Sequence, residues 1–331
     1  MKLKKCPILL LCVLGAMLSP DVGARDRSSQ VGRSPVADRD IAVGGVDGFE
    51  ALANPENTRG LRSSGRVRLY VHKEAWFKTD AQTQAAIVRA FAGTGPASLE
   101  VGESGHPEEY WPRIMKSFRE AGLAPDQAHV NAAKPSRSSL TVPQWKAFVD
   151  EARSLGVEVV APVITPNDND RPWINNPFTA PPWDEIRERA KYGGGLTVDS
   201  PAWYFLRQPR EYQRFIEDEL RWARNAGLQA TLIISPPRDN KTGDFADQTR
   251  KMLKMLRDDA ALPNAYVIEN YMGKPPANFR YMIGNERDPQ SITGFANWVV
   301  HNMPRSSGTN THGRRHGEGA KQDRPRERTQ P

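Results

Sequence analysis

The sequence predicts a parallel (β/α)8 barrel of the TIM type, irregular at its last strand. Three observations carry this. Strand-like and helix-like segments alternate seven times between Arg66 and Met303. The strands are nearly all apolar, as strands buried on both faces must be. The alternating region is roughly 240 residues long, close to the usual size of about 250 for such a barrel.

The elements follow in order. "VRLYVH" (67–72) is β-branched and aromatic and reads as the first strand. "DAQTQAAIVRAFAGT" follows, with Ile87, Ala90 and Phe91 at helical spacing. "ASLEVG" (97–102) is a strand, and "EEYWPRIMKSFREAGL" (108–123) a helix in which Pro112 is expected in the first turn. "AHVNA" (128–132) is a short strand. "TVPQWKAFVDEARSLG" opens with Thr141 as N-cap and Pro143 in the first turn. "VEVVAPVIT" (157–165) is a buried strand, "PPWDEIRERAKYGG" a helix and "GLTVDSP" (195–201) a strand. "PREYQRFIEDELRWARNAG" places Tyr212, Phe215, Ile216, Leu220 and Ala223 on one face. "QATLIISPP" (229–237) is a strand, "FADQTRKMLKMLRDDAALP" a helix, and "AYVIENYM" the seventh strand. "FRYMIG" (279–284) is the candidate for the eighth, before the last helix "SITGFANWVVHNM". Three helix ends, "FREAGLAPDQAHV", "EARSLGVEVVA" and "WARNAGLQATLII", share one signature: Gly just past the helix, then Leu or Val, then a strand. Gly supplies the left-handed C-cap conformation. The rival fold, an open doubly wound sheet, often carries a Gly-rich phosphate loop after its first strand. Here that strand runs into "VHKEAWFK", without glycine.

The termini read differently. Lys2, Lys4 and Lys5 precede the apolar run "PILLLCVLGAML", which is too short to span a bilayer, and Val22 and Ala24 stand at −3 and −1 of a small-residue cleavage site. Residues 1–24 are therefore expected to be a signal peptide, which predicts a secreted or periplasmic protein without a membrane span in the mature chain. Both cysteines, Cys6 and Cys12, lie in that segment, so the mature chain has no disulfide, thiol nucleophile or Cys-based metal site. Residues 25–64, rich in Arg, Ser and Asp, read as a flexible leader, and 305–331 as a disordered basic tail. The tail supplies much of the formal net charge of +7. It reads as a solvated segment or one that touches an anionic surface. No aromatic interleaves its bases, so nucleic acid is not an expected partner.

A barrel keeps its site at the C-terminal ends of its strands. Those ends carry His72 and Lys73, Glu100, Asn131, Asn167 and Asp168, Asp199, Ser235, and Glu269 with Asn270. The loops beyond add Trp76, Trp111, Trp173, Trp183, Trp203, Tyr204 and Tyr271. Acids and amides beside aromatics suit a polyhydroxylated ligand, whose hydroxyls need many hydrogen bonds and whose ring faces stack. Glycoside hydrolysis uses two carboxylates. The expected catalytic set is Glu269 as nucleophile or base, with Asp199 or Glu100 as proton donor. The expected substrate-binding set is Asn270, Tyr271, His72, Lys73, Asn131, Asp168, Trp173 and Trp203. Asp199, just before "SPAWY", is equally a candidate helix cap. No cofactor and no metal is expected.

"VIENYMG" resembles the strand-seven "ITENG" motif of TIM-barrel retaining glycoside hydrolases, whose Glu is the nucleophile. The resemblance implies that role for Glu269 and a neighbouring one for Asn270. "MIGNERDP" (282–289) is similar to the "GNEP" acid/base tag of the same superfamily, which implies Glu286. That tag belongs on the fourth strand, which ends here in "ITPNDND". The leading function is thus a carbohydrate-active, glycoside hydrolase-like enzyme acting on a polysaccharide or oligosaccharide. A non-catalytic barrel that binds polysaccharide or a cell surface is the second reading. A phosphodiesterase or metal-dependent hydrolase, in which His72 and His129 approach one another, is the third.

Overall fold

In the computed structural model, residues 39–91, 97–101, 107–123, 125–130, 141–157, 159–164, 183–237, 244–271 and 281–305 are described. Eight strands close a barrel in the order β1 to β8, every pair parallel. They are β1 (Ile41–Gly45), β2 (Val67–His72), β3 (Ala97–Val101), β4 (Pro125–Val130), β5 (Val159–Ile164), β6 (Gly195–Asp199), β7 (Gln229–Ile234) and β8 (Ala265–Asn270). Closure comes from β1 pairing with β8, Ile41 opposite Tyr266 and Gly45 opposite Asn270.

This corrects two expectations. The expected leader 25–64 contains β1, two 3-10 turns and α1 (Arg59–Ser63). Among the described residues of "FRYMIG", Tyr281–Gly284, none is in a strand. The strand that completes the barrel precedes the first one read from sequence, so every strand read from sequence moves up one rank and Glu269 lies near the end of β8. "IAVGG" is short, with Arg39 and Asp40 before it and Val46 and Asp47 after it. Its five residues are buried because both neighbouring strands pair with it.

The helices are α2 (Lys73–Lys78), α3 (Ala81–Ala90), α4 (Pro107–Glu120), α5 (Val142–Ser154), α6 (Trp183–Gly193), α7 (Ala202–Phe205), α8 (Arg210–Asn225), α9 (Phe245–Asp258) and α10 (Ile292–Asn302). Thr141 caps α5 in a reciprocal box with Gln144. Pro112 lies inside α4 rather than in its first turn, because that helix begins at Pro107. The Gly signature holds at all three sites. Gly122, Gly156 and Gly227 have φ of 79°, 87° and 73°. The next N–H reaches back five residues each time: Leu123 to Phe118, Val157 to Ala152 and Leu228 to Ala223. These are Schellman closures. On α8, Tyr212, Ile216, Leu220 and Ala223 are buried against the barrel, with Phe215 partly covered. No helix among the described residues is long and apolar enough to cross a membrane.

The strands point alternate residues to the two sides. One set joins the helices in the main apolar core. The other faces the barrel axis, where Ala42, Tyr70, Ile233 and Val267 form a small apolar layer. Arg68 lies on the N-terminal side of Tyr70 along β2, and His72 on the C-terminal side.

Candidate functional site at the barrel mouth

The C-terminal mouth centres on one contact. His72, ending β2, meets Glu269, near the end of β8, through Nε2 and Oε2. Both are buried, at 2% and 4% exposure. In the barrel only β1 separates β2 from β8, and β1 ends there in Gly44 and Gly45. Gly44 lies opposite both Tyr70 and Glu269. A Cβ on Gly44 would come 2.0 Å from the Tyr70 carbonyl oxygen. Side-chain-free backbone at this position lets the strands close beneath the Glu269–His72 contact.

A carboxylate accepting from one imidazole nitrogen fixes the tautomer and the orientation of the ring. Burial strengthens the contact, since both groups sit where the effective dielectric is low. Aromatic rings flank the pair. Tyr70 packs edge-on to His72 at 5.2 Å, and the Tyr271 ring lies 5.5 Å from it on the outer side. Tyr271 is half exposed, at 50%. The mouth therefore offers an acid–base pair beneath an accessible aromatic face.

Asp199 ends β6 and is half-buried. It does not cap the following helix: α7 begins at Ala202 with Pro201 in the cap position. Only β7 separates β6 from β8, which sets Asp199 and Glu269 on strands about 10 Å apart by ordinary strand spacing. Glu100 stands on β3 in register with His72 and with His129.

Several expected site residues have other duties. Asn270 is fully buried and points away from the axis. Its Oδ1 accepts from Asp47 N, and its Nδ2 donates to the Tyr281 carbonyl. It ties the loop after β1 to the segment after β8 and is no substrate contact. Lys73 begins α2, is 8% exposed and lies 3.8 Å from Glu74. Trp203 sits on α7, half-buried, against Tyr204. Trp76 is wholly buried and donates to Ser117 Oγ, so it belongs to the core. Asn131, Asp168 and Trp173 lie outside the described residues.

Glu286, implied as an acid/base by the second resemblance, is a helix cap. Both its oxygens accept from Gly60 N, at 2.9 and 2.7 Å, and Oε2 also accepts from Leu61 N at 3.4 Å. A carboxylate there satisfies free N–H groups and meets the positive end of α1.

His72 and His129 do not converge. The Tyr70 ring packs on both. His129 Nδ1 pairs with Thr197 Oγ1 at 2.8 Å, inside the barrel. Burial, the Arg68 charge and His72 push the His129 pKa down to about 3, so this imidazole is neutral. Among the described residues no group of three or more His, Cys, Asp and Glu side chains is placed to hold a metal ion. Sequence reading missed Gly44 and Gly45, although a strand ending in two glycines is itself a sign of close backbone approach.

Fold and site together define a parallel (β/α)8 barrel of the TIM type with a buried carboxylate–imidazole pair at its C-terminal mouth. No protein-family model matches the chain, and no curated protein is significantly similar to it. Solved structures do align with it. The carboxyl transferase domain of Rhizobium etli pyruvate carboxylase, with pyruvate and biocytin, is 12% identical with a TM-score of 0.47, over 81% of this chain and 47% of that one. The chain thus spans about half the length of the pyruvate carboxylase structures it matches. A D-psicose 3-epimerase from Clostridium cellulolyticum, with D-tagatose, is 10% identical at TM-score 0.42, over 79% of this chain and 99% of that one. An orotidine 5'-monophosphate decarboxylase from Methanocaldococcus jannaschii is 14% identical at 0.42, over 80% and 98%. Likenesses this distant assign neither activity nor substrate, and the fold rests on the strand pairing itself.

Proposed function

We propose that the chain is a secreted or periplasmic carbohydrate-active enzyme of glycoside hydrolase-like chemistry. The observation that carries this is the buried Glu269–His72 contact at the mouth, beneath the exposed ring of Tyr271. In this reading Glu269 is the nucleophile or base, and His72 holds its carboxylate in place. Asp199 or Glu100 donates the proton that lets the glycosidic oxygen leave, and water completes the cleavage. Tyr271 offers a sugar ring an apolar face. The substrate class is a polysaccharide or oligosaccharide. The expected signal peptide carries the chain out of the cytoplasm, and the basic tail contacts an anionic surface there.

A second reading has its own observation. Glu269 is already engaged by His72 and nearly covered, which suits a barrel that binds polysaccharide without cleaving it. The two separate in a screen of polysaccharides for reducing-end release, with binding followed in parallel. The enzyme reading expects release by the native chain and a fall of at least about 100-fold in Glu269→Gln, the scale of losing a positioned acid–base group. Binding with no release by either protein would leave the non-catalytic barrel. Equal release by both would remove Glu269 from the chemistry.

A further inference from the structure

The lower barrel is polar where such barrels are mostly filled by branched aliphatic side chains. Arg68, Gln127, His129, Gln229 and Thr231 line a chamber of about 10 Å³ on the N-terminal side of Tyr70. Most of its polar groups are satisfied by one another. Arg68 Nη1 donates to Asp126 Oδ1 at 2.6 Å. Gln127 Nε2 donates to Gln229 Oε1 at 3.0 Å, and Gln229 Nε2 to Thr231 Oγ1 at 3.1 Å. Among the described residues that line it, Arg39 Nη1, the Tyr266 hydroxyl and His129 are the exceptions. Of these, His129 bears on the mouth, through Tyr70. It is 1% exposed, its Nδ1 is taken by Thr197, and its Nε2 is buried without a hydrogen-bond partner among the described residues. Leaving such an atom unsatisfied costs about 1–3 kcal/mol.

We propose that this chamber is a site for one ordered water, hydrogen-bonded to His129 Nε2 and to the amide or hydroxyl groups of the wall. The size fits: a single water needs roughly 10–15 Å³ and two to four polar partners. Arg68 is paired with Asp126 and Asp40 with Arg66, while Arg39 also lines the wall, so an anion is the competing occupant; water is the ligand that suits the neutral imidazole of His129. Water also serves either tautomer, since it donates to a bare ring nitrogen and accepts from a protonated one. The site braces the mouth from below. His129 packs on Tyr70 at 5.7 Å and Tyr70 on His72 at 5.2 Å, so a fixed His129 ring backs the ring that holds Glu269.

A crystal structure of the full chain at a resolution that shows ordered solvent tests this. The expected result is one solvent peak at about 2.6–3.2 Å from His129 Nε2 and within hydrogen-bond reach of a second wall group. No peak there, or a side chain rotated onto Nε2, would overturn the proposal. Crystals soaked in bromide discriminate the ligand: an anomalous peak in the chamber would make it a halide site and overturn the assignment to water. In His129→Leu the peak should vanish; a peak retained in place would show that His129 does not hold it. If that variant fails to fold, His129→Asn keeps a polar end and should show the water shifted or lost.

Discussion

At the scale of single residues, two glutamates that look alike in sequence do opposite things. Glu269 stands at a strand end, among apolar neighbours, and touches an imidazole; Glu286 closes a helix. Replacing Glu286 with Ala is expected to cost about 1–2 kcal/mol, the worth of a charge-assisted cap, and to lower the melting temperature by roughly 2–8 °C. Thermal unfolding reads this; an unchanged midpoint would mean that the cap contributes nothing. The placing of Glu269 was legible because "YVIEN" is a strand with a carboxylate where barrels keep their chemistry. The duties of Asn270 and Glu286 were not, since their partners lie at Asp47 and Gly60, more than 220 residues away in the chain. His129 was visible only as a histidine on a strand, and its burial depends on how the whole barrel closes.

At the scale of elements, the helix–Gly–strand turn was readable because it is local: the Gly conformation and the closing bond involve six consecutive residues. A fourth turn of the same kind has no glycine. Ala261 N reaches back to Leu256 O, and Ala260 takes φ of 54° to allow it. An L-residue in that region costs about 1 kcal/mol or more, partly offset in a glycine variant by its looser unfolded chain. Ala260→Gly is therefore expected to stabilise the protein by about 0.5–1 kcal/mol in denaturant unfolding. A loss of stability would show that strain at this turn is already relieved. β1 shows the opposite limit. Five residues, "IAVGG", carry too little periodicity to stand out, and what makes them a strand is the pairing on both sides.

For the whole molecule, closure is the stabilising event. A chain begun at Arg66 lacks β1 and leaves the edges of β2 and β8 unpaired. It is expected to aggregate or to lose cooperative unfolding, as read by circular dichroism and size-exclusion chromatography. A soluble, cooperatively melting product would show that the barrel does not need its first strand. Acid sensitivity follows from the interior. The His129 pKa falls from the ordinary 6.5 to about 3 in the fold, so below pH 6.5 the unfolded chain binds a proton that the native chain does not. Its contribution to stability is full above pH 6.5 and is lost by about 1.4 kcal/mol per pH unit as pH falls towards 3. Unfolding of native and His129→Leu proteins from pH 7 to 4 checks the sign: the native protein should have the steeper loss. Equal slopes would mean that His129 titrates normally. In the proposed function the Glu269–His72 pair, and not Glu286, performs the chemistry at the mouth. Reducing-end release measured side by side for the native chain, Glu269→Gln and Glu286→Gln tests it most directly. The expected result is activity abolished in Glu269→Gln and kcat retained, with a lower melting temperature, in Glu286→Gln. Activity that survives in the first and disappears in the second would contradict it.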